Sequence, residues 1–235
     1  MNQNEQKGTE HPLSILTDEA YKVFSELGFE IATGPELETE WYNFDALNVP
    51  KNHPARAMQD TFWIKGQEGK VLRTHATNVS ARMLETAAKE GRIPSAFIAI
   101  GKVFRNEATD ATHEMQFYQI DGTMIGKDIT LAHLKGVLTH FYKKMLGDDV
   151  EIEFRPSYFP FVEPGIEVWL KFKNKWLEVM GAGLTHPNVL RNLGIDPDIY
   201  QGFAFGGGLD RIAMIKWGIP DVRLFYQGDL RLNQF

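Results

Sequence analysis

Arg105 and Glu107 in Phe104-Arg105-Asn106-Glu107, with Phe117 downstream in His113-Glu114-Met115-Gln116-Phe117, are residue types that suit a nucleotide. Alternate strand residues face one side, so the arginine and the glutamate share a face that Phe117 on a returning strand can reach. The guanidinium would fork onto a phosphate, the carboxylate would accept from an adenine amino group, and the ring would stack on the base. Taken alone, such an Arg-x-Glu reads more simply as a surface ion pair beside a core phenylalanine. A second segment, Gly202-Phe203-Ala204-Phe205-Gly206-Gly207-Gly208-Leu209-Asp210-Arg211, lets backbone approach a ligand, and Arg211 at a helix start can lie over a flat ring or meet phosphates. By itself it is also ordinary strand-helix packing, and it matches neither the P-loop pattern nor the dinucleotide fingerprint. Phe159 and Phe161, at i and i+2, share a strand face and on their own read as core.

The histidines do not form a metal motif. His133 and His140 stand seven apart on a helix, His11, His53 and His186 each precede proline, and no H-E-x-x-H occurs. Asp148-Asp149 reads as solvated charge after a helix.

The elements that must position these residues follow from periodicity. Leu16, Ala20, Val23, Phe24 and Leu27 mark a helix over 11–27 that Gly28 stops. Residues 34–60 turn irregular but carry so many aromatics that they must pack on something. A second helix is expected over 78–90, with Val79, Met83, Leu84 and Ala87 on one face. Strands are expected over 97–105 and 115–125, joined by the polar tip 106–114. A helix over 130–146 precedes strands over 150–154, 166–172 and 176–180, and the last helix spans 208–216. A leading helix, then an antiparallel sheet with inserted helices, places the chain in the α+β class.

The 235 residues have a net charge of −6, with 43% hydrophobic and 24% charged positions, ordinary for one globular domain. Without cysteine there can be no disulfide framework, thiolate zinc site, iron–sulfur cluster or cysteine nucleophile. No signal-like or spanning apolar run appears, which fits a cytoplasmic protein with no membrane partner. The acidic balance argues against a free-standing nucleic-acid binder.

Together, Phe-Arg-x-Glu, the loop ending in H-x-x-x-F and the Gly-rich strand leading to Arg211 resemble motifs 2 and 3 of class II aminoacyl-tRNA synthetases. Gly34-Pro35-Glu36, Asn43-Phe44-Asp45-Ala46-Leu47-Asn48, His53-Pro54-Ala55-Arg56, Asp60-Thr61-Phe62-Trp63, Tyr158-Phe159-Pro160-Phe161-Val162-Glu163-Pro164, Lys175-Trp176-Leu177-Glu178, Gly181-Ala182-Gly183 and His186-Pro187-Asn188-Val189-Leu190 narrow the likeness to the phenylalanyl α-subunit family, in its bacterial and organellar branch. The resemblance covers residues 11–235 as one catalytic domain and leaves 1–10 as a disordered polar N-terminus.

That resemblance implies an antiparallel sheet flanked by helices that joins phenylalanine to ATP with Mg2+ and passes it to tRNA(Phe). Arg105 would hold the α-phosphate, Glu107 would lie near the adenine, and Phe117 and Arg211 would sandwich the adenine ring. Arg105 and Arg211 would act in catalysis, His113 would meet the bent triphosphate, and Glu178 would be the metal ligand. Phe159 and Phe161 would hold the substrate ring by edge-to-face contacts, with Ala182, Ala204 and Gly206 leaving room. Trp63, His75 and Gln119 would orient the ammonium and carboxylate. Thr77 and Asp121 stand where the family commonly has serine and glutamate, which changes reach by one carbon at each position. The family's coiled-coil arm and anticodon-binding domain are not found in these residues, so a truncated or minimal α chain is expected. Its partner would be a β subunit in a heterotetramer of two α and two β. The alternative is a non-catalytic or altered-specificity paralogue.

Overall fold

The computed structural model describes residues 9–234, with side chains through 232. The expected disorder over 1–10 falls, for residues 1–8, outside the described residues. In chain order the elements are α1 (Pro12–Glu26), β1 (Glu30–Ala32), β2 (Leu37–Thr39), β3 (Lys70–Leu72), α2 (Thr77–Lys89), β4 (Ser95–Phe104), β5 (Gln116–Gly126) and α3 (Leu131–Leu146). They continue with β6 (Ile152–Phe159), β7 (Val162–Phe172), β8 (Lys175–Thr185), α4 (Pro187–Asn192), β9 (Gln201–Gly208) and α5 (Leu209–Trp217).

The helix ends follow from local chemistry. Pro12 sits in the first turn of α1, where its missing N–H costs nothing, and the His11 side chain accepts from the Leu13 N–H at 3.2 Å. Thr130 and His133 form a reciprocal capping box at the start of α3. Gly218 ends α5 in the left-handed conformation.

Seven strands form one sheet in the order β1-β4-β5-β9-β8-β7-β6. All neighbours are antiparallel except β1, which runs parallel to β4 at one edge. The expected α+β architecture therefore holds with one parallel edge strand added. Alternation along β4 divides the core: Ala96 and Ile98 pack with α1, α3 and α5, whereas Phe97 and Ala99 pack on the opposite face with α2. On the first face Phe24 is fully buried, its ring 4.9 Å from Phe141 and 5.3 Å from Phe205.

The aromatic stretch 34–60 does pack: Phe44, Ala46, Leu47 and Val49 are buried in the second cluster, around a π-helical turn at Trp41–Asp45. Arg56 is buried there over the Phe44 ring and pairs with Glu40 and Asp45 at 2.8 and 2.6 Å. β6, β7 and β8 run longer than expected, through Pro156, Pro164, Gly181 and Gly183. Strand propensity is weak at such residues, and pairing within the sheet overrides it. Among the described residues no helix is long and apolar enough to cross a membrane.

Candidate active site

On the α2 face of the sheet, β5 presents Phe117, Gln119 and Asp121 at every second position, so all three project to one side. β9 lies beside it and offers Ala204, Gly206 and Gly208 in the same alternation, with Gly206 opposite Asp121 and Gly208 opposite Gln119. Large residues on one strand facing small ones on the next leave a cavity of about 400 Å³. A Cβ on Gly206 would lie 2.9 Å from Asp121 Oδ2 and 3.1 Å from Gln119 Nε2. A Cβ on Gly208 would lie 3.9 Å from Arg211 Cγ and 4.0 Å from Phe117 Cδ2, so this glycine floors a slot between the two side chains.

At the nucleotide-like end the strand expected to carry Arg105 and Glu107 stops at Phe104. One further ladder bond, Arg105 N to Met115 O at 2.9 Å, leads into the irregular segment that holds Glu107. Both residues still line the cavity, together with His113, Phe117, Glu178 and Arg211. The Arg105 guanidinium stands 5.1 Å from the Phe117 ring centroid, and its Nε donates to Thr74 O at 3.3 Å. Surrounding protein lowers the Arg105 pKa and the nearby Arg211 charge adds to this, yet a guanidinium stays ionised. Arg211 is exposed, and its Nη1 is fixed by the Glu178 carbonyl at 2.9 Å. Its neighbour Asp210 is buried and takes the Tyr118 N–H at 2.8 Å and the Tyr226 hydroxyl, with burial raising its pKa to about 6. His113 tops the loop, its Nδ1 3.0 Å from the Asp110 carboxylate. A bulge in β8 opposite Val168 and Trp169 lets Glu178 and Gly181, three apart, both face the cavity.

The other end is enclosed. Phe159 and Phe161 line it with ring centroids 5.9 Å apart. Phe159 ends β6 and Phe161 lies in the two-residue turn before β7, so they do not follow one another along a strand. The Phe159 ring lies on Gly181, where a Cβ would sit 2.9 Å from Cζ. Asp121 is buried, and it accepts from Thr77 Oγ1 at 2.7 Å and Ser80 Oγ at 2.6 Å. Burial outweighs these bonds and pushes its pKa up to about 7. Gln119 spends its oxygen on the Ala76 N–H at 2.8 Å. His75 pairs Nε2 with Asn43 O at 2.9 Å, leaves Nδ1 buried without a partner, and has its pKa lowered by burial to about 4. The imidazole is therefore neutral at pH 7.

Two expected residues lie elsewhere. Trp63 is not in the cavity wall; its indole N–H goes to Arg56 O at 3.1 Å and its ring stacks on Phe44. Ala182 is buried in the core on the opposite face of β8. Sequence reasoning passed over Ser80 and Asp210. Ser80 stands one helical turn after Thr77 on α2, a spacing that places both hydroxyls on one face, and that signal was available.

The tRNA synthetase class II core domain model (F) matches residues 1–235. The phenylalanine–tRNA ligase alpha subunit of Clostridium perfringens is 50% identical over 97% of this chain and 69% of its own length. That of Coxiella burnetii is 51% identical over 97% and 68%. A cavity that pairs an arginine-lined slot with an apolar enclosed end, on a sheet carrying both motifs, agrees with these matches, and the chain belongs to the class II tRNA synthetase core-domain family.

Proposed function

We propose that the chain is the catalytic α subunit of a phenylalanine–tRNA ligase, with residues 11–235 acting as one catalytic domain. The observation that carries this is a single cavity joining two sites: Arg105, Phe117 and Arg211 at one end, Phe159, Phe161 and Asp121 at the other. The names of the relatives from Clostridium perfringens and Coxiella burnetii support the same reading.

The chemistry needs no protein nucleophile. A phenylalanine carboxylate oxygen attacks the α-phosphorus of ATP, the bond to the bridging oxygen breaks, and pyrophosphate leaves with the electron pair. Arg105 and Arg211 neutralise the charge that develops on the phosphate, and the cavity fixes the in-line approach. Phe117 and Arg211 hold the adenine over Gly208 by stacking and cation–π contact. His113 meets the far phosphates, and Glu107 accepts from the adenine amino group. Asp121 takes the substrate ammonium, Gln119 Nε2 and neutral His75 orient the polar end, and the two phenylalanine rings and Ala204 enclose the side chain. Among the described residues no three acidic or histidine side chains converge on a metal site. Magnesium characteristically binds through one or two carboxylates together with phosphates, so Glu178, exposed on the cavity wall, fits as its protein ligand. When bound, the ion supplies further neutralisation of phosphate charge.

Transfer to tRNA(Phe) then occurs in an assembly with a β subunit, two of each. Pyrophosphate exchange into ATP tests the first step: the chain with a cognate β subunit responds to phenylalanine and magnesium and far less to leucine. Equal response to both amino acids refutes the pocket assignment. Acceptance of phenylalanine followed by failure to charge tRNA with the β subunit present refutes the second step.

A further inference from the structure

Phe159 pairs with Val162 across a two-residue turn, Pro160 and Phe161, where the sheet becomes irregular. The β6–β7 ladder shifts register between Ser157 and Phe159, and the β7–β8 ladder shifts between Val162 and Gly165. The two turn carbonyls are taken from outside the hairpin, one by Asn48 and the other by the residue that follows β8. Asn48 Nδ2 donates to Pro160 O at 2.7 Å, and the His186 N–H donates to Phe161 O at 2.9 Å. Asn48 is itself held, since its Oδ1 accepts from Asn188 Nδ2 at 3.1 Å on α4. One turn further along α4, Asn192 Nδ2 reaches Asp45 O at 3.2 Å and Ala46 O at 3.3 Å. Asn48 also occupies the left-handed backbone region, with φ of 59°, where asparagine is among the few tolerated side chains.

We propose that Asn48, clamped by Asn188, is a positioning residue for amino-acid selection: it sets the height of the turn at residues 160 and 161 and so the fit of the two rings around the substrate side chain. Asn48 does not line the cavity and acts only through Phe159 and Phe161. The inference rests on the phenylalanine-activating function proposed above. A misplacement of about 1 Å that originates away from the reacting groups can cost about a hundredfold in rate.

The test is Asn48→Gly, which keeps the left-handed backbone and deletes both side-chain bonds, assayed by pyrophosphate exchange in the assembled α and β complex. Loss of the part-buried bond to Pro160 O together with its clamp predicts a phenylalanine KM raised about tenfold, with ATP KM within about twofold, and weakened discrimination against tyrosine. Asn188→Ala leaves Asn48 in place but unclamped and shifts the phenylalanine KM in the same direction, by about threefold. It serves as the reading if Asn48→Gly does not fold. An unchanged phenylalanine KM, or phenylalanine and ATP KM values rising in parallel with a fallen melting temperature, overturns the positioning role. A parent complex that does not prefer phenylalanine overturns the proposed function instead, so the two failures are distinct.

Discussion

Phenylalanine should bind this site with a pH dependence set by Asp121. In the free protein burial holds the carboxyl protonated up to about pH 7. An ammonium brought against Oδ2, over the open side that Gly206 leaves, favours the carboxylate, so binding expels a proton wherever Asp121 carries one. At pH 6 about one molecule in ten has the competent carboxylate, and apparent affinity scales with that fraction. The phenylalanine KM is therefore expected about tenfold above its plateau at pH 6, equivalent to roughly 1.4 kcal/mol, about twofold above it at pH 7, and level near about pH 8. His75, at about 4, stays neutral throughout and contributes nothing to the slope. Asp210, at about 6, titrates in the window but sits beside Arg211, so its effect belongs to ATP. The linkage sign is consistent. A carboxyl raised from its ordinary value binds more protons folded than unfolded, so the free protein loses stability from about pH 4 to about pH 7, and the ligand recovers it. Pyrophosphate exchange at saturating ATP between about pH 5.5 and 7.5, below the range of the α-amino group, measures the profile. Calorimetry in two buffers counts the proton released. A flat profile in the parent, or the same slope in Asp121→Asn, refutes the reasoning.

Gly206→Ala places a methyl 2.9 Å from Asp121 Oδ2 and should abolish phenylalanine-dependent exchange while nucleotide binding, followed by ATP-analogue calorimetry, persists. Arg211→Lys keeps the charge but loses the planar group over the slot and its fixed bond to Glu178 O, so ATP KM should rise at least tenfold, by the usual cost of such a loss, with phenylalanine KM little changed. Phe24→Ala empties a fully buried site packed on Phe29, Phe141 and Phe205 and should cost about 3–5 kcal/mol in urea unfolding.

The arginine-lined end became legible only when Phe-Arg-x-Glu, the H-x-x-x-F loop and the Gly-rich strand were taken together in order, since Arg-x-Glu alone reads as a surface ion pair. Helices with strong apolar stripes, such as α1 and α3, were readable for the same reason that they fold: one face must be buried. Three-residue strands such as β1 and β3 were not, because so short a segment carries no periodicity and exists only through its partner. The phenylalanine turn was legible as two rings but not as a turn, since Phe-x-Phe at i and i+2 reads alike along a strand or around a hairpin end. Trp63 shows the opposite limit. An indole donor suits a polar ligand, and the fold spends it on a backbone carbonyl that no spacing rule locates.

Thr77 and Asp121, the two positions expected from the resemblance to depart from the family pattern, meet each other in space. The Asp121 carboxylate on β5 lies against α2, where Thr77 and Ser80, one turn apart, donate to its two oxygens. Among the described residues no basic side chain is bonded to it, and Arg73 contributes only a distant field. Two neutral hydroxyls do not offset the desolvation of a full charge, so burial carries the titration of this carboxyl up to neutrality. The missing component is a cation, and the absent side chain of Gly206 leaves the cavity a face of Oδ2 on which to supply one. An incoming ammonium therefore completes an arrangement that the chain leaves deliberately short of charge. On the proposed function, selection for a free α-amino group would then draw on the carboxyl's own unfavourable burial.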